Sequence, residues 1–147
     1  MDINITINPA DLQRLQALPG MFRAAMNRAA FAAATHAAHD LQAHPDTPRW
    51  QGELANSITA TPTADGATTH ITSPYAYTVH QGRNAGKWPN ITRVSEWADS
   101  KGMVGAGWAI ARSIKDKGIK GRPWVKNYVS SLAFEVMCKQ EVSRAMV

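Results

Sequence analysis

ITATPTADGATTHITS, residues 58–73, is the stretch on which the fold turns. Asp65-Gly66, preceded by Ala64, lies between two threonine-rich runs, and Asp-Gly in that setting is a strong hairpin signal. The reading is a strand over 58–63, a tight turn at 64–66 and a returning strand over 67–73 that Pro74 ends, since proline cannot donate to a ladder. Upstream, Pro45, Asp46, Thr47 and Pro48 form a loop. Trp50, Leu54 and Ile58 then recur at four-residue spacing, which predicts a short helix leading into the hairpin. At the N-terminus Ile3, Ile5 and Ile7 alternate with Asp2, Asn4, Thr6 and Asn8, the period of a half-buried strand.

Helical patterns fill the rest. Asn8-Pro9 opens a short helix with Leu12, Leu15 and Leu18, which Pro19-Gly20 stops. Residues 21–44 predict a long, alanine-rich helix. Phe22, Met26, Ala29, Ala33 and Ala37 make one apolar face, while Phe31, Ala24 and Ala38 lie roughly opposite, so this helix is expected between two layers. Residues 75–81 are a short apolar segment, and 82–90 an open loop exposing Trp88. Asn90 caps a helix with Ile91, Val94 and Trp97 inward, ending near Gly102. Another helix covers 106–117 and stops at Gly118. A closing helix starts at Pro123 and runs to about Arg144. Val125, Tyr128, Val129, Leu132 and Val136 form its stripe, with Phe134 and Met137 pointing away. The fold class is α+β: a small antiparallel β-sheet with a hairpin, packed against two long α-helices plus short ones. At 147 residues the chain reads as a single domain, 1–147. Its segments are the strand and helices of 1–44, the hairpin region 45–82, the basic loop and helices of 83–122, and the closing helix 123–147.

Composition narrows the function classes. Cys138 is the one cysteine, which excludes an internal disulfide framework and a four-cysteine metal site. No apolar run approaches a membrane span, and MDINITINPADLQ lacks the basic and apolar regions of a secretory signal, so no membrane partner and synthesis in the cytoplasm are expected. The net charge of +5 is unevenly placed: residues 83–126 carry ten Lys/Arg against three Asp/Glu. Such a block attracts nucleic acid or an acidic partner surface, with Arg83, Lys87, Lys115, Lys117, Lys120 and Arg122 as its exposed members. A solvated face is the competing reading.

Motifs for chemistry are sparse. His36, His39, Asp40 and His44 share a helix at metal-ligand spacing, but the HExxH pattern is absent and a polar helix face accounts for them. Cys138 has no helix start or loop to activate it. Glu96 and Asp99 sit among Arg93 and Lys101 as ion pairs. Glycines at 102, 105 and 107 match no phosphate-binding motif. The expectation is a protein without catalytic residues, cofactor or metal. Phe31, Trp88, Phe134 and Met137 are candidates for contact with neighbouring subunits.

Three stretches in order carry a family resemblance. RWQGELANSI (49–58) resembles the T-G-x-L-x-x-S-I approach to a hairpin. SPYAYTVHQG (73–82) resembles the Y-A-x-x-V-E-x-G segment after it. KGIKGRPWVKNYV (117–129) resembles the K-G-I-x-x-x-P-F-x-x-x-A start of a closing helix. The order is similar to the neck and minor tail component family of long-tailed bacteriophages and prophages. The structural positions carried by it are Trp50, Gly52, Leu54, Ile58, Tyr75, Val79, Pro123 and Trp124. Gln51 stands for the usual Thr, His80 for Glu and Trp124 for Phe. The glutamate's role therefore does not carry over, while the aromatic exchange keeps the plug. The resemblance implies a virion structural protein in a homo-oligomeric, six-fold ring at the head–tail junction or tail end. Its partners would be other neck or tail proteins, with passing contact to DNA. The alternatives from the residues alone are a basic nucleic-acid-binding module and a small metal-dependent hydrolase using the histidines.

Overall fold

The hairpin forms with a two-residue turn. In the computed structural model, which describes residues 1–6, 8–16 and 20–147, β2 (Ile58–Thr63) pairs antiparallel with β3 (Gly66–Ile71) from Ile58↔Ile71 to Thr63↔Gly66. The N-terminal strand β1 (Asp2–Thr6) adds to the far edge of β3, so the sheet order is β1-β3-β2 and all pairing is antiparallel. The central strand explains the threonines: Thr69, fully buried, donates its hydroxyl to the Ala34 carbonyl at 3.0 Å, and Thr68 donates to the Asn4 side chain at 2.9 Å. Ile7, Leu18, Pro19 and the side chain of Leu15 lie outside the described residues.

Helices α1 (Pro9–Gln16) and α2 (Gly20–Ala43) follow β1, as the proline and alanine signals predict. The polypeptide divides into two compact units: unit 1 is Met1–Ala76 with Trp124–Val147, and unit 2 is Tyr77–Pro123. Within unit 1, α2 packs on the sheet and on the C-terminal helix α8 (Leu132–Ala145), which is the two-layer role its small residues suit. Its buried positions are Ala25, Ala29, Ala33, Ala34, Ala37, Ala38 and Leu41, so methyl groups let the sheet on one side and a helix on the other approach closely. Phe22 and Met26 are only half-buried, and Ala24 is exposed.

The four-residue spacing of Trp50, Leu54 and Ile58 does not belong to one helix. Gln51 and Gly52 take φ of 60° and 72°, so α3 is confined to Glu53–Asn56. Leu54 and Ile58 are nevertheless fully buried, on α3 and β2, and Trp50 is half-buried before them. The closing helix is also two helices. α7 (Trp124–Val129) ends at Ser130, and Ser131, with extended backbone (φ −82°, ψ 149°), caps α8 by accepting the Phe134 amide at 3.2 Å. The break resets the helical phase.

Unit 2 carries α4 (Ala76–Gln81) at its boundary, β4 (Gly82–Arg83), α5 (Ile91–Ser100), α6 (Gly107–Lys117) and β5 (Ile119–Lys120). The apolar segment expected over 75–81 is thus a turn at Tyr75 followed by helix from Ala76. Asn90 caps α5 by accepting the Arg93 amide at 3.1 Å, and Gly118 terminates α6 with φ 74°. α5 and α6 pack on one another through Ala98, Gly107 and Ala111. Ile91, expected inward, is exposed, because it stands in the first turn before the apolar stripe of Val94, Trp97 and Ala98 begins.

Candidate interaction surfaces

The stretches SPYAYTVHQG and KGIKGRPWVKNYV meet inside unit 2. β4 and β5 pair antiparallel, Gly82 with Lys120 and Arg83 with Ile119, and the Arg122 amide donates to the Val79 carbonyl at 2.9 Å. Glycine is required there by geometry: Gly82 has φ 86°, and a Cβ on it would overlap the backbone of Ile119 and Gly121.

The loop after β4 is tied down rather than open. Arg83 donates to the carbonyls of Lys87 and Trp88 at 3.2 and 2.9 Å, and the Gly86 amide donates to the Lys115 carbonyl at 2.7 Å. Trp88 packs against Trp108 of α6 with ring centroids 6.2 Å apart and planes at 37°. The Lys115 ammonium lies 4.8 Å from the Trp88 ring centre, and the Arg112 guanidinium 5.5 Å from that of Trp108. Both indoles remain open to solvent, Trp88 at 43% and Trp108 at 55%. Arg83 and Lys115, expected as freely exposed cations, are half-buried in this arrangement; Lys87, Lys117, Lys120 and Arg122 are exposed. Sequence reasoning missed Trp108 and Arg112. Their signal was the i, i+4, i+7 series Trp108, Arg112, Lys115 along one face of α6.

In unit 1 the phase shift at Ser131 inverts the face expected for the C-terminal helix. Phe134 turns inward and meets Tyr128 edge-on, centroids 5.4 Å apart at 67°. Met137 and Cys138 are half-buried on the same side, and Glu141 is buried. Phe134 and Met137 are therefore packing residues of unit 1, not outward contacts. Leu132, expected inward, is 73% exposed; Val129 and Val136 are exposed as well. Val136 also lines a shallow groove with Lys139, Gln140, Ser143 and Arg144. Phe31 stays on the outer side of α2, 40% exposed, since neither layer flanking that helix covers it.

The inward side holds polar pairs. The Tyr128 hydroxyl donates to Asp40 Oδ2 at 2.7 Å. Burial, reinforced by that carboxylate, raises the tyrosine pKa well above its ordinary 10.0. Burial also pushes the Cys138 thiol up, so the nucleophilic thiolate is disfavoured. Glu141 accepts from Arg144 at 2.6 Å and faces His36 Nδ1 at 3.6 Å. The His44 ring lies beside that of Trp124, centroids 6.4 Å apart and planes at 37°. His36 and His44 thus have separate partners, and among the described residues no group of three His, Cys, Asp or Glu is placed to hold a metal ion.

A pH dependence follows. Above pH 10 an unfolded tyrosine releases its proton while folded Tyr128 keeps it, so the unfolded state binds fewer protons and stability falls as pH rises. The contribution is fully present below pH 10. Tyr128→Phe is expected to flatten the fall above pH 10. It should also cost about 1 kcal/mol at neutral pH through the lost hydrogen bond to Asp40. Urea midpoints of both proteins across the alkaline range check this; parallel curves would contradict it.

No protein-family model, curated protein or solved structure matches this chain.

Proposed function

We propose that the chain is a structural subunit of a tailed-phage particle, working by assembly into a ring at the head–tail junction or tail end beside other neck or tail proteins. The ordered similarity of 49–58, 73–82 and 117–129 to the neck and minor tail component family supports this reading. The structural observation that carries it is the uncovered apolar patch of Val129, Leu132 and Val136 along α7 and α8, with exposed Phe31 on α2 as a candidate anchor for a second contact. Exposed apolar patches mark interaction sites. A closed ring with head-to-tail contacts needs two different patches on each subunit.

The paired variants Leu132→Asp and Phe134→Asp test it in particles. Leu132 is mostly in water, so Leu132→Asp should alter stability by no more than about 0.5 kcal/mol. It should nevertheless block incorporation, leaving heads and tails unjoined or tails incomplete. Phe134→Asp places a charge against Tyr128 and should destabilise unit 1 itself, by about 3 kcal/mol. Infectious particles at the normal yield from a folded Leu132→Asp protein would contradict the assignment of this face.

A further inference from the structure

We propose that unit 2 binds single-stranded nucleic acid on the face formed by Trp88, Trp108 and the cations around them. This inference stands apart from the assembly reading, because it concerns residues of unit 2 alone.

Charge is the first observation. Unit 2 carries nine Lys/Arg and three Asp/Glu, a net +6, whereas the remainder of the chain carries seven and eight, a net −1. The basic character is concentrated in unit 2, and a concentrated positive field draws polyanions. The second observation is the indole pair. Tryptophan ordinarily gains from burial, yet two neighbouring rings are left 43% and 55% open to water. The third is the interleaving of the two. Lys115 lies over Trp88, Arg112 over Trp108, and exposed Lys87 is next to Trp88 in the chain. Arg112 also faces Asp116, Nε to Oδ2 3.8 Å, a solvated i, i+4 pair that a phosphate can replace. The fourth is pre-organisation: the bonds from Arg83 and from the Gly86 amide hold the loop that presents Trp88.

These features select among polyanions. An acidic protein surface would satisfy the cations but has no particular use for two exposed indole planes. A duplex offers phosphates but keeps its bases stacked within. A single strand offers phosphates and free base planes together, and stacking of bases on aromatic rings beside a cationic track is how such strands are held without sequence preference. DNA and RNA strands share this chemistry.

The test titrates the full chain with oligothymidylate, oligouridylate and a duplex of the same length, about 16 nucleotides, while following indole emission. Binding of a single strand with quenching, stronger than binding of the duplex, is expected; whichever of the two strands binds tighter identifies the sugar. Trp108→Ala should weaken single-strand binding about tenfold, and Trp108→Tyr should restore most of it. Lys87→Gln, an exposed change that does not touch the packing, should lower the slope of log affinity against log salt by about one. Absence of binding, duplex binding as tight as single-strand binding, or single-strand affinity unchanged in Trp108→Ala would each overturn the proposal.

Discussion

Trp124→Ala is expected to produce the largest loss of stability in unit 1, about 3–5 kcal/mol. Trp124 is fully buried at the start of α7, with its ring beside that of His44, centroids 6.4 Å apart and planes at 37°. Removing the indole leaves a cavity where the side chain is fully enclosed, and such cavities collapse only in part. Trp124→Phe should behave differently. The buried Nε1 has no hydrogen-bond partner among the described residues. Deleting it relieves an unpaired donor while keeping most of the apolar volume. The expected net cost is below about 1.5 kcal/mol. Urea unfolding of the three proteins checks the order; equal losses in both variants would mean that the plug acts by something other than packed volume.

Gly82→Ala is expected to disrupt unit 2 by about 3 kcal/mol. The left-handed backbone accounts for only part of this. The rest comes from a Cβ driven into the backbone of Ile119 and Gly121, which cannot yield without breaking the short β4–β5 ladder. Gly86→Ala is the comparison: its φ is 110°, but a Cβ there meets nothing within 4 Å, so only the conformational cost of about 1 kcal/mol should appear. Hydrogen exchange at 82–83 and 119–120 reads the difference, with fast exchange in Gly82→Ala and near-normal protection in Gly86→Ala. Retained protection in Gly82→Ala would show that the ladder does not depend on this close approach.

The α+β class was legible because its signals are local. Asp65-Gly66 between threonines, the alternation at 2–6 and the alanine run of α2 each announce an element without reference to the rest of the chain. The interaction surfaces were harder to read because their geometry is not local. Periodicity continued across Ser130-Ser131 puts Leu132 inward and Phe134 outward; one capping hydroxyl reverses both. The serine pair and Glu135 in the first turn of α8 were the available signs of a new helix start. The β4–β5 ladder has two residues on each strand, too few for a period, and its sign in the sequence is the set of glycines 82, 118 and 121, each of which allows close approach to the facing backbone. Trp88 was visible as an exposed aromatic, but its partner Trp108 lies on a helix that reads as ordinary amphipathic surface until the fold brings the rings together.

The assembly claim is tested most directly by finding the protein in particles. A gold-labelled antibody raised against the purified chain can be imaged by electron microscopy on tailed particles purified from cells that carry the gene. Label is expected at one fixed position, the head–tail junction or the tail end. Particles of normal form without label, from cells in which the chain is made and folded, would contradict the assembly reading.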